Sequence, residues 1–182
     1  MMLAYMNTPP WYVLTGGPCA GKTTLAEALR ERGHAVQPEP GRIYFEAKLA
    51  EGKTIEELLS DMTKLEHDIL QQHIEMEKAF KRDSLLFLDR GIPDCLAYYR
   101  VYNVTEDAEL EKALANCSYR KIFLLDLIEN FANDAVRVET PEQAKRIHDA
   151  IESAYIERGY EVVTVPVMPI QDRADFVLSR LG

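Results

Sequence analysis

The sequence has 182 residues, a formal net charge of −9 and a hydrophobic fraction of 47%. A chain of this length can bury about 70% of its unfolded surface, so we expect one globular domain over residues 1–182 that needs no disulfide or metal for stability. The negative charge disfavours non-specific binding to nucleic acid or to an anionic membrane. Phosphorylated small molecules stay possible as ligands, because local backbone dipoles can hold an anion whatever the overall charge.

The cysteines and the apolar runs bear on the cellular compartment. Cys19, Cys95 and Cys117 are far apart and form no C-x-x-C pair, which is typical of a reducing compartment and gives no zinc signature. No apolar run reaches the roughly 18–20 residues that a membrane span needs. Residues 1–11 lack the basic and long apolar segments of a signal peptide. We therefore expect a cytoplasmic protein without membrane contact.

Compact apolar runs that stop at turn residues predict five buried strands. In chain order they lie at residues 11–15, 34–37, 85–88, 122–125 and 160–165. Helical periodicity predicts the segments between them, at residues 22–32, 42–51, 54–81, 94–102, 107–116, 142–158 and 171–181. Alternating strands and helices indicate an α/β domain with a parallel sheet. Residues 1–10 are expected to be a tail, and approximately 127–141 an ordered loop or small lid.

The turn after the first strand carries the strongest signal. Residues 16–23, G-G-P-C-A-G-K-T, match the phosphate-loop pattern G-x-x-x-x-G-K-[ST] at every fixed position. Gly16 and Gly21 permit backbone turns in which consecutive N–H groups face a phosphate, and Lys22 adds a cation at the helix start. We expect the nucleotide to contact Gly16, Gly17, Pro18, Cys19, Ala20, Gly21, Lys22, Thr23 and Thr24. The alternative is a glycine turn with an incidental lysine.

Two residues are candidates for holding Mg²⁺. The Thr23 hydroxyl ends the phosphate-loop pattern, and Asp89 follows directly after the third predicted strand. An aspartate there could also do no more than cap the next turn. Within the loop, Cys19 is interpreted as a small filler, with a redox-sensitive thiol as the alternative.

Several segments resemble known families. D-R-G-I-P-D-C-L-A-Y at residues 89–98 is similar to the Asp-Arg motif and the following Ala-Tyr of thymidylate kinases and to the related segment of deoxynucleoside kinases. Residues 16–24, 38–42, 87–94 and 159–163 more closely resemble a family of small AAA-like ATP-binding proteins, related to the kinase domain of the nicotinamide-riboside kinase regulator. The similarity extends from about residue 11 to residue 181.

The resemblance implies a three-layer P-loop NTPase fold, with a five-stranded parallel sheet in the order 2-3-1-4-5 and helices on both faces. It implies ATP and Mg²⁺ as ligands and leaves GTP open, although the chain lacks a guanine signature of the Asn-Lys-x-Asp type. It also implies a lid near residues 133–137, in which Arg137 would close over the transferred phosphate. The alternative for Arg137 is a solvated surface arginine.

The resemblance further implies an acceptor site. Glu39 stands where deoxynucleoside kinases carry the glutamate that accepts the substrate hydroxyl proton, although it could be a structural acid of the turn. Arg42 and Arg90 could neutralise an anionic acceptor or pair with Glu39 and Asp94. Asp94 could bind a ribose hydroxyl, although an N-cap role is favoured. Tyr98 is a candidate stacking face for a base or a packing residue.

Two functions remain from the sequence. The leading hypothesis is a Mg-ATP-dependent phosphotransferase that acts on a nucleoside-like or other small hydroxylated acceptor. Its expected catalytic residues are Lys22, Glu39, Asp89, Arg90 and Arg137, and its expected acceptor contacts are Glu39, Arg42, Arg90, Asp94 and Tyr98. The alternative is a regulatory ATP- or GTP-dependent switch without a small-molecule acceptor. A homodimer is a possible assembly.

Overall fold

The computed structural model describes residues 8–128 and 140–181 of the chain. Within these ranges the strands are β1 (Trp11–Thr15), β2 (Val36–Gln37), β3 (Leu86–Asp89), β4 (Lys121–Leu125) and β5 (Val162–Val165). The helices are α1 (Lys22–Glu31), α2 (Pro40–Ala50), α3 (Ile55–Leu59), α4 (Met62–Ala79), α5 (Ile92–Val101), α6 (Ala108–Asn116), α7 (Pro141–Glu157) and α8 (Ile170–Leu178).

The strands form one parallel sheet in the order β2-β3-β1-β4-β5. The predicted fold class is therefore confirmed, including the strand order. Each parallel connection crosses over through a helix, which leaves both faces of the sheet covered.

The central strand β1 shows why its sequence is apolar throughout. Trp11 and Val13 pack into the core on one face of the sheet, and Tyr12 and Leu14 pack into the core on the other. Side chains alternate between the faces of a strand, so a strand with helices on both sides has no position for a polar residue in its middle. α1 and α8 cover one face, while α5 and α7 cover the other.

The register of β1 and β3 positions the polar residues that follow them. Leu14 pairs with Asp89, so β3 ends beside the point where the chain leaves β1 for the phosphate loop. In open parallel sheets, ligands bind beyond the carboxyl ends of the strands. Residues 15–18 and 89–91 therefore lie together at this edge.

The helix predicted over residues 54–81 is wrong as a continuous element. The structure ends α3 at Leu59 and begins α4 at Met62. At the break, the Ser60 hydroxyl donates to the Glu57 carbonyl at 2.7 Å, and the Asp61 carboxylate accepts from the Lys64 amide at 2.9 Å. Short polar side chains bind nearby backbone groups and so favour helix ends over helix interiors. The capping box of Thr54 and Glu57 at the start of α3 is confirmed.

Two helices begin two residues earlier than predicted, and both boundaries concern the candidate site. α2 begins at Pro40 instead of residue 42, which makes Glu39 its N-cap residue. α5 begins at Ile92 instead of Asp94. Each has a proline in its first turn, where the missing N–H removes no hydrogen bond. In addition, β2 and β5 are each two residues shorter at their start than predicted.

Parts of the chain that were predicted from sequence fall outside the described ranges. Residues 129–139 include the proposed lid segment at 133–137 and Arg137, and residues 1–7 include most of the predicted tail. Among residues 8–128 and 140–181, no helix combines the length and apolar character needed to cross a membrane.

The break before α4 yields a stability prediction. Replacing Asp61 with alanine removes the acceptor for the Lys64 amide, so Asp61→Ala should lower the free energy of unfolding by about 1 kcal/mol. Asp61→Asn keeps a side-chain oxygen and should stay within about 0.5 kcal/mol of the unchanged protein. Urea denaturation of the three proteins measures both values. Equal stability of Asp61→Ala and Asp61→Asn would contradict the cap assignment.

Candidate active site

The phosphate loop is a tight turn whose glycines are required by its geometry. Gly16 has a φ of +136°, and a Cβ atom built there would lie 2.7 Å from the carbonyl oxygen of Leu125. Gly21 has a φ of +83° and forms the N-cap of α1. A residue with a side chain would be strained at both positions, and at Gly16 it would also collide with β4.

The lysine of the loop is buried inside the turn. Lys22 is 3% exposed, and its Nζ donates to the carbonyls of Gly16 and Gly17 at 3.0 Å each. The ammonium group is therefore held on the inner side of the turn. Thr23 and Thr24 follow in the first turn of α1, where the helix dipole favours an anion.

Asp89 brings a carboxylate to the same edge of the sheet. It is buried, and its Oδ1 atom has no hydrogen-bond partner among the described residues. Burial, and after it the charge of Glu39, raise the pKa of Asp89 to about 6 against the opposing effects of Lys22 and Arg90. An orphaned carboxylate oxygen beside a phosphate loop is suited to a cation that arrives with a ligand.

Arg90 joins the phosphate loop to the rest of the site. Its Nε donates to Glu39 Oε1 at 2.7 Å, and its Nη1 donates to Asp94 Oδ1 at 2.8 Å and to the Gly16 carbonyl at 3.3 Å. The residue has a φ of +75°, which is uncommon for a side chain of this size. Of the two alternatives for Arg90, the structure has the one in which it pairs with Glu39 and Asp94.

Asp94 holds Arg90 in place, and all acceptor positions of its own carboxylate are occupied by protein donors. Besides Arg90, its carboxylate accepts from the Thr15 hydroxyl at 2.6 Å, the Tyr155 hydroxyl at 2.6 Å and the Gly91 amide at 3.1 Å. It is 1% exposed. The favoured N-cap interpretation is wrong: Gly91 is the N-cap of α5, and Asp94 accepts its N–H from the first turn. A carboxylate offers about four acceptor positions, and four protein donors occupy them here.

A cavity of about 580 Å³ opens beside this cluster. Glu39, Arg90 and Pro18 line it at the end next to the phosphate loop, and Arg42 and Tyr98 line its walls. The Tyr98 ring centroid lies 5.2 Å from the Arg90 guanidinium carbon. The remaining wall is mostly apolar and comes from α2, α3 and α4, so the cavity has the volume and mixed character typical of a small-molecule site.

Two buried ionisable residues of the cavity were missed by sequence reasoning. Glu66 and His73 both face the cavity from α4 and are 4% and 3% exposed. Their signal was present: Met62, Glu66, Ile69 and His73 follow helical spacing on one stripe, so the two polar residues occupy apolar positions. Burial lowers the pKa of His73 to about 4, which keeps its ring neutral at pH 7.

Two further missed residues support the phosphate loop from behind. Arg173 of α8 donates to the carbonyls of Ala20 at 2.7 Å and Pro166 at 3.0 Å and is 2% exposed. The Gly17 amide donates a hydrogen bond to Nδ1 of His148, a residue of α7, at 3.3 Å. Both lie more than 120 positions beyond the loop, and no local pattern pairs them with it.

The structure brings together most of the predicted site residues. Gly16–Thr24, Asp89 and Arg90 meet at one edge of the sheet, and Glu39, Arg42, Asp94 and Tyr98 surround the adjoining cavity. Arg137 is the predicted residue that lies outside the described ranges.

A protein-family model described as an AAA domain, AAA_28, matches residues 11–173. The chain belongs to the AAA_28 family. The match covers the phosphate loop, the Asp-Arg segment and most of α8, so the predicted resemblance to small AAA-like and kinase-like P-loop proteins is confirmed. No curated protein sequence matches this AAA_28 chain.

Solved structures share the fold of this AAA_28 protein at low sequence identity. Deoxyadenosine kinase from M. mycoides with bound dCTP has a TM-score of 0.66 and 14% identity, over 94% of this chain and 98% of its own. Thymidylate kinase from Ehrlichia chaffeensis has a TM-score of 0.66 and 14% identity, over 94% and 97%. The NadR protein in complex with NR has a TM-score of 0.73 and 18% identity, over 98% of this chain and 53% of NadR. The shared fold is that of P-loop nucleoside and nucleotide kinases.

The support of the loop by α8 can be tested. Arg173→Met leaves the buried Ala20 carbonyl and the Pro166 carbonyl without their donor and should lower the free energy of unfolding by about 1–3 kcal/mol. Arg180→Met, two residues past the end of α8 and exposed, should change it by less than about 0.5 kcal/mol. Chemical denaturation measures both. Equal effects of the two substitutions would remove the proposed support.

Proposed function

We propose that this protein is a kinase that transfers the γ-phosphoryl group of ATP to a hydroxyl group of a nucleoside-like or other small hydroxylated acceptor. The observation that carries the proposal is Arg90, which binds the phosphate loop at Gly16 and also the acids Glu39 and Asp94 at the mouth of a cavity of about 580 Å³. A nucleotide-only switch has no need of a second, largely apolar cavity that opens onto its phosphate loop.

The loop residues fit a nucleotide. The turn from Gly16 to Thr24 would bind the phosphates through its amides and through Lys22. The orphaned Oδ1 atom of Asp89 fits a divalent cation, and Thr23 and Asp89 would hold Mg²⁺. When bound, Mg²⁺ neutralises phosphate charge. GTP stays open as an alternative nucleotide.

Glu39 is the proposed proton acceptor. Its Oε1 atom accepts from Arg90 at 2.7 Å, and the side chain lines the cavity at the end next to the phosphate loop. In the transfer, the acceptor oxygen forms a bond to the γ-phosphorus, the bond from that phosphorus to the β–γ bridging oxygen breaks, and ADP leaves. The hydroxyl proton passes to Glu39.

The three arginines Arg90, Arg42 and Arg137 have separate proposed roles. Arg90 orients Glu39 through a bond that Asp94 braces from the other side, so it acts as a positioning residue for the acceptor end of the site. Arg42 and Tyr98 would bound the acceptor in the cavity. Arg137 stays a prediction as the lid cation that stabilises the transferring phosphoryl group. A single domain, a cytoplasmic location and a homodimer also stay predictions.

The kinase is distinguished from a switch by stoichiometry. Purified protein is offered Mg-ATP with a panel of nucleosides, nucleotides and pyridine ribosides, and ADP and phosphorylated product are both quantified. The proposal expects one ADP per phosphorylated acceptor and little turnover without acceptor. Slow hydrolysis that no member of the panel changes would instead establish a switch NTPase.

Removal of the loop lysine tests nucleotide binding. Lys22→Ala deletes a charged donor in the turn and should weaken ATP binding by about 10–100-fold, measured by calorimetry with Mg²⁺ present. Lys145→Ala removes an exposed lysine of α7 and should leave the dissociation constant unchanged. Full ATP affinity and turnover in Lys22→Ala would refute the assignment of the phosphate loop.

Removal of the proposed base tests transfer. Glu39→Gln preserves the shape of the side chain but cannot accept the proton as a carboxylate does, so kcat should fall by about 10²–10⁴-fold while ATP binding is retained. Glu46→Gln changes an exposed acid on the rim of the same cavity and should leave kcat near that of the unchanged protein. Thermal melting of each variant separates loss of activity from loss of folding. Unchanged transfer in Glu39→Gln would remove the base role.

A further inference from the structure

A buried acid in the wall of the cavity has no part in the phosphoryl transfer described above. Glu66 lies in α4 and lines the cavity, yet it is only 4% exposed. Among residues 8–128 and 140–181, no donor lies within hydrogen-bonding distance of its carboxyl group, and no cation pairs with it. Lysine and arginine usually accompany a glutamate as deeply buried as this one.

Ionisation of the Glu66 carboxyl group is unfavourable in its buried position. Burial raises the pKa of Glu66 to about 8, and the charge of Arg90 lowers it only in part. The group therefore carries its proton at neutral pH in the empty cavity. A leucine or glutamine at this position would avoid the penalty, so the acid is a candidate for a function.

The groups around Glu66 leave it without another internal partner. Cys95 and Tyr99 of α5 lie near it, and so does Arg90 in the connection between β3 and α5, but Arg90 already binds Glu39 and Asp94. From α2, Arg42 and Glu46 line the same cavity, and on its own helix it is followed by the neutral His73. α3 contributes only the apolar Ile55 and Leu59 to this wall.

The charged groups that line the cavity carry a small excess of negative charge. Glu39, Glu46 and Asp94 provide three carboxylates against the two cations Arg42 and Arg90, while Glu66 is protonated at neutral pH. A ligand group that reaches Glu66 therefore meets an acceptor of hydrogen bonds in a field that favours donors and positive charge.

We propose that Glu66 determines which acceptors bind: it accepts a hydrogen bond from an N–H donor on the ring of a nucleoside and loses its proton as that bond forms. The proton goes to solvent, and the carboxylate is then stabilised by the ligand N–H in place of water. Rings with an amino or carboxamide donor are selected, positive charge on the ring strengthens the contact, and a ring carboxylate is repelled. This inference rests on the proposed kinase function.

The first experiment measures proton release. Titration calorimetry of adenosine and of nicotinamide riboside, without ATP or Mg²⁺, is carried out in two buffers of different ionisation enthalpy. The protein should release close to one proton per bound nucleoside at pH 7. Affinity should rise nearly tenfold from pH 6 to pH 7 and level off above pH 8, because binding competes with a proton that leaves near pH 8.

The second experiment compares matched ligands and variants. Purine riboside, which lacks the amino donor of adenosine, and nicotinic acid riboside, which replaces the carboxamide with a carboxylate, should each bind at least tenfold more weakly than their partners. Glu66→Gln should lose the proton release, the pH dependence of affinity and most of this discrimination. Glu75→Gln, which changes an exposed acid of the same helix outside the cavity, should keep all three.

The outcomes separate the two proposals. If a nucleoside binds and is phosphorylated, but without proton release and equally well in Glu66→Gln, the role of Glu66 is refuted and the kinase function stands. If neither nucleoside binds and no member of the acceptor panel is phosphorylated, the proposed function fails and this inference fails with it. Proton release and ligand discrimination are read from the unchanged protein, so the test holds even if Glu66→Gln does not fold.

Discussion

The site depends on one buried guanidinium group. Arg90 lies between the phosphate loop and the adjoining cavity, and it binds Gly16 on one side and the carboxylates of Glu39 and Asp94 on the other. A buried arginine is tolerated only when its charge is paired and its donors are satisfied. Asp94 meets that requirement because Thr15, Tyr155 and the amide of Gly91 fill its other acceptor positions.

The hydrogen bonds around Arg90 and Asp94 connect elements that are far apart in the sequence and fix their relative positions. The residues of this network come from the end of β1, the start of α2, the β3–α5 connection, the first turn of α5 and the last turn of α7. Each charge is rigidly held, so the acid at the cavity mouth keeps a fixed position relative to the phosphate loop, which phosphoryl transfer requires. Glu66 is the contrasting case, since it is also buried but has no protein partner among the described residues, and we propose that its carboxyl group binds a ligand.

The fold was predictable to a large extent because its signals are local. An apolar strand that ends in a glycine turn, followed by a helix, identifies the first β–α unit, and the remaining strands are apolar for the same reason of burial on both faces. The error in the helix over residues 54–81 came from giving apolar periodicity more weight than the two polar residues Ser60 and Asp61. The early starts of α2 and α5 came from underestimating prolines as first-turn residues.

The sequence by itself determined the phosphate loop and the Asp-Arg segment, because these rest on residue types at short spacing, and the strand order followed from the resemblance of these segments to P-loop kinases. Only the tertiary structure decided that Arg90 pairs with Glu39 and Asp94, that Tyr155 and Thr15 brace that pair, and that Arg173 holds the loop from behind. These contacts join residues separated by as many as 153 positions. These contacts form only when the helices pack on the sheet, and the spacing of residues within one segment does not predict that packing.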